Sequence, residues 1–593
     1  MSVKKKRHRL ERFVFGLSRD ISSAVPDSLY QFIKKWLPLG VLAGIAGAMA
    51  AILFAYMLSA FQKIYIWVIN KNFLFILLLP TAGLLLSLYI IKFFKIPHNY
   101  HGMNAVIDAI HYKRGITEKK GWIAILLSST ASLGLGASGG PEGPVSYIAA
   151  SISTNFFYIF KNILNIKKGD TKLFVISSIA GGLSAIFKAP FGGALFALEV
   201  PYLNDFESSA TVPALVSGVT AYFIYTAIFG FAPVINVPVI LLSSWSMYLP
   251  FIIITGIVCG IVSIIYVITI NKMSLFFKEV NKSNYLLPAV IGGLMISALS
   301  IFIPLSLGEG DAVLSDVFTT NFTWLLSFNM NYRIIYVLIP ILLIFLIARL
   351  LTNAISLGAG APLGVFYPAL ILGAITGLII GVLFNIGSVG TDILIVVGMG
   401  SVLAGSTKTP ISSVVLMAEM VGLYIISIPV AIAVILSYII SGNYTANSRQ
   451  IIKKGFQIDL SVFENHAVKD ICTKNVVTIP YYATIKEAQE IVSVHNHRFY
   501  PIISDGGGVV GVAYRDSLNK ITGDLREKSV LSIMQSHFEY IDENASVIHT
   551  YNLMNEKQIG RAIVIESKSK FKLAGIITMR DIINMLDTPD NLE

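Results

Sequence analysis

Charged residues are scarce in this chain of 593 residues, at 13% of the total, against roughly 25% in a typical soluble domain. They are also unevenly placed, because no Asp, Glu, Lys or Arg lies within residues 208–271, 350–391 or 420–448. Each of these stretches is longer than the roughly 20 apolar residues that cross a bilayer as a helix. With 55% hydrophobic residues, this pattern excludes a soluble multidomain protein and predicts a multi-pass helical membrane protein.

Cysteine is nearly absent as well. Cys259 lies in an apolar stretch and Cys472 in a polar one, which excludes a disulfide framework and gives no sign of a metal cluster. The apolar region also lacks paired carboxylates, a metal-ligating histidine pair and a nucleophile spaced from a base. We therefore expect no enzyme activity, no catalytic residues, no metal and no required cofactor.

The excess of positive charge is +11, and its densest part is the run from Lys4 to Arg9, just ahead of the first hydrophobic region. Cytoplasmic ends of membrane proteins are rich in Lys and Arg. We interpret residues 1–30 as a basic cytoplasmic N-terminus and expect no nucleic-acid partner. The expected location is the plasma membrane, in contact with lipid.

Composition divides the rest of the chain into two parts. Residues 31–450 are apolar runs interrupted by Gly and Pro, and such broken helices are tolerated in a membrane only where protein or a water-filled cavity satisfies their backbone groups. Residues 451–593 carry charges every few positions and strand-like runs, which predicts a cytoplasmic tail with modules at about 466–524 and 528–587. The predicted fold class is an all-α polytopic membrane domain followed by a small α/β tail.

The membrane part repeats internally. Lys188-Ala-Pro190 followed by Glu199 has the same spacing as Lys408-Thr-Pro410 followed by Glu419, and a Gly-rich segment ending in proline precedes each copy, at 136–144 and 358–368. Such interrupted segments at corresponding positions of two halves indicate a binding site near the bilayer midplane. The alternative is that small residues serve only close helix packing. Ion pairs Lys188–Glu199 and Lys408–Glu419 are expected from this spacing.

The tail repeats too. Val468, Ile471, Ile479 and Ala483 recur 62 residues later as an identical or similar set: Val530, Ile533, Ile541 and Ala545. We predict two copies of one module, each a strand, a helix, two strands and a helix.

Glu142 lies between apolar stretches, within the sequence GPEGP. A carboxylate there is expensive in a bilayer and is by default functional. A helix that begins at this segment presents free N–H groups, which attract either the Glu142 side chain or a solute anion that displaces it. The alternative is an acidic helix cap at the membrane surface.

These features resemble the CLC family of chloride channels and chloride/proton exchangers. GPEGP at 140–144 is similar to the gating-glutamate motif of the family, and GVFYP at 364–368 to its GIFAP motif. Residues 101–104 stand where the family has GSGIP, and residues 185–200 resemble the stretch that ends at the internal proton glutamate of exchangers. The tail modules resemble a tandem pair of CBS domains.

The resemblance implies a homodimer whose subunits are built from inverted repeats with half-helices, each with its own chloride pathway gated by Glu142. By motif position, the anion-binding groups are His101, Gly102, Gly140, Gly143, Val365, Phe366 and Asn447, with the backbone N–H groups of Val365 and Phe366 at the central site. Backbone N–H groups can replace water around an anion without a fixed positive charge that would trap it.

Four positions depart from the family pattern. His101 replaces the serine that faces the central anion, Asn447 stands at the pore tyrosine, and Pro141 replaces a basic residue and lacks an N–H donor. Val200 stands where exchangers carry an acid, and valine cannot carry a proton. We expect anion transport down the gradient, with chloride/proton antiport by another proton route as the alternative. Fluoride- or nitrate-selective variants and a CBS-regulated cation transporter are the further alternatives.

The second tail module carries Gly575, Thr578 and Asp581 in the GxxTxxD pattern of nucleotide-binding CBS domains. The resemblance implies a regulatory adenine nucleotide (ATP, ADP or AMP) held by Thr578 and Asp581. The alternative is that the pair is only a dimerisation module.

Overall fold

The computed structural model describes residues 27–96, 102–113, 115–160, 170–235, 237, 242–282, 284–310, 313–314, 334–452, 466–495, 497–536, 538–556, 559–567, 571–578 and 581–582. The chain divides after Lys454 into two compact units, the membrane unit and the tail unit.

The membrane unit is helical throughout its described residues. Its helices are α1 (Asp27–Lys71), α2 (Leu79–Phe93), α3 (Gly102–Tyr112), α4 (Gly121–Gly134), α5 (Glu142–Phe160), α6 (Thr171–Ile186), α7 (Pro190–Glu199), α8 (Thr211–Phe229), α9 (Leu249–Asn281), α10 (Leu287–Phe302), α11 (Ile334–Gly358), α12 (Phe366–Leu383), α13 (Gly387–Thr407), α14 (Pro410–Val421) and α15 (Ser427–Ile440). Short 3₁₀ turns lie at Phe73–Leu77, Ser208–Ala210, Leu242–Tyr248, Pro304–Ser306 and Tyr424–Ile426.

Six of the described helical segments are long and apolar enough to cross a membrane. They are residues 35–71, 208–229, 245–281, 338–358, 366–383 and 387–407. The other apolar helices are shorter, between 10 and 17 residues. Long and short helices together make this a multi-pass membrane protein with broken helices, as the sequence predicts.

The two halves have the same helix order at their centres. α5 to α8 in the first half correspond to α12 to α15 in the second. Backbone details repeat as well: Lys188 and Lys408, at the ends of the helices before α7 and α14, both have positive φ, of 47° and 60°. Gly136 and Gly360, ahead of α5 and α12, also have positive φ, of 111° and 96°. The internal repeat of the sequence is therefore a repeat of structure.

In each half, a glutamate accepts hydrogen bonds from backbone N–H groups of the other half. The carboxylate of Glu199, at the end of α7, accepts hydrogen bonds from the N–H groups of Ile411 (3.1 Å) and Ser412 (2.8 Å), at the start of α14. In return Glu419, at the end of α14, accepts from the N–H groups of Phe191 (3.1 Å) and Gly192 (2.8 Å), at the start of α7. A helix N-terminus carries partial positive charge and free N–H groups. Each carboxylate therefore satisfies free N–H groups at the start of the other helix.

Glu199 does not pair with Lys188, and Glu419 does not pair with Lys408, so the prediction of these two ion pairs is wrong. Lys188 Nζ instead donates to the carbonyl oxygens of Phe229 and Ala232 (3.3 and 3.1 Å). Lys408 Nζ donates to Ser441 Oγ (2.6 Å). Equal spacing in the sequence placed each Lys and Glu at opposite ends of one short helix, where the neighbouring helix provides nearer partners.

The tail unit contains two three-stranded sheets. The first module has α16 (Val468–Ile471), β1 (Ile479–Pro480), α17 (Ile485–Val494), β2 (Phe499–Ile503), β3 (Val509–Tyr514) and α18 (Arg515–Asn519), and the second has β4 (Tyr540–Asp542), α19 (Val547–Glu556), β5 (Arg561–Ile565) and β6 (Leu573–Thr578). In each sheet the first two strands are parallel and the last two antiparallel. The predicted order of strand, helix, two strands and helix holds in the first module. In the second module the strand, helix and two strands hold, and the final helix lies outside the described residues apart from 581–582.

These modules exchange segments as well. Val468, from the first module, packs in the core of the second with Ile541 and Val564, whereas Val530, from the second, packs in the core of the first. The backbone of Thr473 pairs with Ile576 through hydrogen bonds of 2.9 and 3.0 Å. Neither core is complete without the other module.

We predict that Glu199→Ala and Glu419→Ala each lower the stability of the membrane unit. Each removes the acceptor for two buried N–H groups, a loss on the order of 1–3 kcal/mol. Glu→Gln keeps one acceptor oxygen and should cost less. The measurement is the thermal unfolding midpoint of the purified protein in detergent. Glu279→Ala is the matched control, because that carboxylate is exposed and, among the described residues, pairs with Lys282. Losses no larger than in the control would contradict the prediction.

Candidate functional site

Two Gly-rich loops meet at the centre of the membrane unit, one ahead of α5 and one ahead of α12. They pair as a short antiparallel bridge: Gly140 N–H donates to Gly364 O (3.0 Å), and Gly364 N–H donates to Gly140 O (2.8 Å). The bridge holds the N-terminal ends of α5 and α12 side by side. The two interrupted segments of the repeat therefore form one site.

The Glu142 carboxylate occupies this site and is 2% exposed. Its Oε1 accepts a hydrogen bond of 2.6 Å from the N–H of Phe366, the first residue of α12. Its Oε2 is buried and has no hydrogen-bond partner among the described residues. The carboxylate therefore accepts from the Phe366 N–H, which the sequence assigns to the central anion site. Only one of the two carboxylate oxygens, Oε1, accepts a hydrogen bond from the described residues.

Glycines make room for this carboxylate. A Cβ atom at Gly364 would lie 1.7 Å from Glu142 Oε1, and one at Gly140 would lie 2.1 Å from Oε2. Gly143 approaches Gly102 closely, since its Cβ would lie 3.2 Å from the Gly102 Cα. We name these four residues, Gly102, Gly140, Gly143 and Gly364, the glycine seat. Three of them are among the predicted anion-binding residues, and the structure brings them together around Glu142.

Aromatic packing fixes the start of α12. The Phe366 ring stacks on Phe187 at 4.1 Å between centroids and meets the edge of Phe196 at 5.6 Å. Val365 is the N-cap residue of α12. The backbone groups of Val365 and Phe366 thus face the seat from a rigid, water-excluding support.

The remaining two predicted anion-binding residues are His101 and Asn447. His101 lies outside the described residues, directly before Gly102. Asn447 is buried in the segment after α15, where its carbonyl accepts from the Gln450 N–H (3.1 Å). Among the described contacts, none joins Asn447 to Glu142 or Phe366.

Val200 lies at the end of α7 and is fully buried in the apolar core. Its carbonyl accepts a hydrogen bond of 2.8 Å from Gln450 Nε2. At this position exchangers carry an acid, whereas this chain has an apolar side chain. The hydrogen bond at this position is made by the backbone carbonyl of Val200.

The sequence analysis missed three residues near the seat. Gly364 could have been found from its equivalence to Gly140 in the repeat. Tyr266 and Asn353 carry no such signal, because each lies in a largely apolar stretch and belongs to no motif. The Tyr266 hydroxyl donates to Asn353 Oδ1 (2.6 Å) and lies 3.2 Å from Val365 O.

In the tail unit, the two predicted nucleotide-binding residues contact each other. Asp581 Oδ2 accepts hydrogen bonds from the N–H and the hydroxyl of Thr578, both at 2.8 Å. Among the described residues of the tail, none donates a hydrogen bond to Asp581 Oδ1. Gly575 allows a close approach here, since its Cβ would lie 2.8 Å from Thr473 O.

The tail unit also contains a cavity of about 640 Å³. Aromatic side chains line it, including Phe499, Tyr514, Phe538 and Tyr540, and Arg561 lies over the Phe499 ring at 5.4 Å. Neither Thr578 nor Asp581 belongs to its lining. Both modules line the cavity, the first through Phe499 and Tyr514 and the second through Phe538, Tyr540 and Arg561.

Comparison with known proteins places this geometry in a family. The family model described as voltage gated chloride channel matches residues 82–442, and the CBS domain model matches residues 468–521 and 530–588. A putative chloride channel protein ClcB-like of Ralstonia nicotianae is 27% identical over 423 residues, which cover 68% of this chain and 92% of the relative. A chloride/fluoride channel protein of Pseudomonas syringae pv. tomato is 26% identical over 428 residues, covering 70% and 86%.

Solved structures show the same fold. A CLC-type fluoride/proton antiporter has a TM-score of 0.58 at 19% identity, covering 72% of this chain and 98% of its own. A eukaryotic CLC transporter has a TM-score of 0.57 at 17% identity, covering 93% and 98%. The resemblance and the fold class inferred from sequence are confirmed. The chain belongs to the voltage gated chloride channel family, the CLC proteins, and carries a tandem pair of CBS domains after its membrane unit.

Proposed function

We propose that this protein transports chloride or a related anion across the membrane through the glycine seat, and that Glu142 is the gate. The observation that carries the proposal is the hydrogen bond of 2.6 Å from the Phe366 N–H to the Glu142 carboxylate. The Phe366 N–H, which would bind a transported anion, here binds the carboxylate of Glu142.

The chemistry of the seat suits a small anion. A backbone N–H at the start of α12 supplies partial positive charge without a formal one. Glycines bring the backbone close on several sides, and apolar rings exclude water behind Phe366. An anion is attracted strongly enough to enter and weakly enough to leave, which conduction requires.

The gate works by competition for that N–H. Glu142 and a transported anion cannot both accept from Phe366 while the carboxylate fills the space left by Gly140 and Gly364. A proton on the carboxylate removes its charge and weakens its hold on the helix end. The side chain then leaves the seat to the anion.

Passive transport fits the apolar position at Val200 better than antiport does. A buried valine in the core cannot bind a proton, and its backbone carbonyl is bonded to Gln450. Chloride/proton antiport by another route is the competing proposal. Simultaneous measurement of chloride and proton flux decides between them, because antiport moves the two in a fixed ratio.

The assembly proposed is a homodimer in the plasma membrane, with the N-terminus and the tail cytoplasmic. Support comes from the neighbouring helices α7, α8, α14 and α15, which carry exposed apolar side chains. These are Phe191, Val212, Phe223, Ile411, Ile428, Ile435 and Ile439. A second copy presenting the same face would cover this surface with a two-fold axis, the commonest symmetry of homo-oligomers.

We predict that Glu142→Gln opens the pathway. Gln has nearly the same shape but no charge, so its hold on the Phe366 N–H is weaker and no longer depends on protonation. The measurement is chloride efflux, with proton flux recorded at the same time, from liposomes containing the purified full-length protein between pH 5 and pH 8. Flux at neutral pH should rise several-fold and its dependence on pH should flatten.

Glu279→Gln, at an exposed glutamate on α9, is the control and should behave as the wild type. A Glu142→Gln protein that keeps the wild-type pH dependence would show that Glu142 is not the gate. Chloride movement without proton movement in the wild type would select passive transport over antiport.

For the tail we propose a regulatory adenine nucleotide bound through the second CBS module. The Asp581 carboxylate is held in place by Thr578 through Oδ2, which leaves Oδ1 to accept from the hydroxyl groups of a ribose. Regulation further requires that the nucleotide bind one conformation of the tail better than another. The aromatic cavity lined by both modules is the competing location, because a planar base stacks well on aromatic rings.

We predict that Asp581→Asn weakens ATP, ADP or AMP binding by about tenfold or more, through the loss of charge-assisted hydrogen bonds. Calorimetry on the full-length protein measures it, with Asp505→Asn in an exposed loop as control. Unchanged binding in Asp581→Asn together with loss in Tyr514→Ala would move the site to the cavity. No heat with any of the three nucleotides would leave the CBS pair as a dimerisation module.

A further inference from the structure

Tyr266 contacts the backbone carbonyl of Val365, at the start of α12. It lies on α9 and its side chain is fully buried. Its hydroxyl donates to Asn353 Oδ1 at 2.6 Å and lies 3.2 Å from the carbonyl oxygen of Val365. Both neighbours are acceptors, and a tyrosine hydroxyl has one hydrogen, so that hydrogen is shared unequally between them.

The orientation of the Asn353 amide follows from its other contact. Asn353 Nδ2 donates to the carbonyl of Ser138 at 3.0 Å, in the loop that leads to Glu142. The oxygen of this amide must therefore face Tyr266. The Tyr266–Asn353 pair thus spans the two loops of the seat, with one end at Val365 and the other at Ser138.

The Val365 carbonyl and the Phe366 N–H belong to one peptide unit. Tyr266 contacts the oxygen of this unit, and Glu142 contacts its N–H. A hydrogen bond to the carbonyl of an amide polarises the amide and strengthens its N–H as a donor, by perhaps 10–30% per bond in condensed phases. It also fixes the direction in which the N–H points.

We propose that Tyr266 is a positioning residue that sets the affinity of the seat for anions, through the peptide unit that it shares with Glu142 or the transported anion. Asn353 limits this effect because it takes the larger share of the hydroxyl hydrogen. The inference rests on the proposed function and goes beyond it, since it names a residue that touches neither the anion nor the gate.

The test uses the full-length Glu142→Gln protein, in which the anion has no charged competitor for the Phe366 N–H. Tyr266→Phe keeps the ring and removes the hydroxyl. The readouts are the chloride concentration for half-maximal flux in liposomes and the chloride dissociation constant by calorimetry. Both should rise about two- to tenfold, while the maximal flux changes less.

Two further variants sharpen the result. Tyr285→Phe is the matched control, because that hydroxyl also donates to a backbone carbonyl, at Leu88 (2.9 Å). It should leave both readouts unchanged. Asn353→Ala frees the Tyr266 hydrogen for Val365, so chloride binding should be at least as tight as in the parent protein.

The outcomes separate the two proposals. A Glu142→Gln parent with neither saturable chloride flux nor chloride heat would overturn the proposed function itself. A parent that transports, with unchanged half-saturation in Tyr266→Phe, would overturn only the role of Tyr266. Equal weakening in Tyr266→Phe and Asn353→Ala would show a structural brace in place of a polarised peptide and would also overturn it.

Discussion

In both units, two copies of one sequence pattern depend on each other, because each copy completes the other. In the membrane unit, Glu199 and Glu419 each satisfy the start of the other half's short helix. In the tail, Val468 and Val530 each complete the other module's core. A broken helix in a bilayer leaves N–H groups that water cannot reach. Exchange between halves satisfies them without adding a third element.

The seat follows from the same exchange, with one difference between the copies. Gly140 and Gly364 pair symmetrically, but the residue two positions later is Glu142 in one half and Phe366 in the other. The first half supplies a carboxylate and the second supplies an N–H to hold it. This difference at one pair of positions places a buried carboxylate against the N-terminal end of a helix from the other half. Gly140, Gly364 and the stacked Phe187 and Phe366 rings surround that contact.

Composition and spacing predicted the fold class and both internal repeats, because they carry that information directly. The placement of Glu142 opposite the start of α12 followed from the resemblance to the CLC family. The sequence could not predict the partners of Glu199 and Glu419. Spacing along one helix suggests a lysine, whereas the actual donors lie more than 200 residues away. Apart from the Ser412 hydroxyl, they are backbone groups that no residue type reveals. Tyr266 was missed for the same reason, since it acts on a carbonyl. The gating role of Glu142 and the nucleotide site remain predictions that the proposed experiments decide.

The exchanged carboxylates also constrain how the protein is made. Glu199 precedes its partner Ser412 by 213 residues. At a synthesis rate of about 5–20 residues per second, the interval between them is roughly ten to forty seconds. During that interval α7 has neither the donors for its own carboxylate nor the acceptor for its first N–H groups. The first half therefore lacks these hydrogen bonds until the second half is synthesised, and a chain truncated before residue 411 would leave the Glu199 carboxyl without its donors.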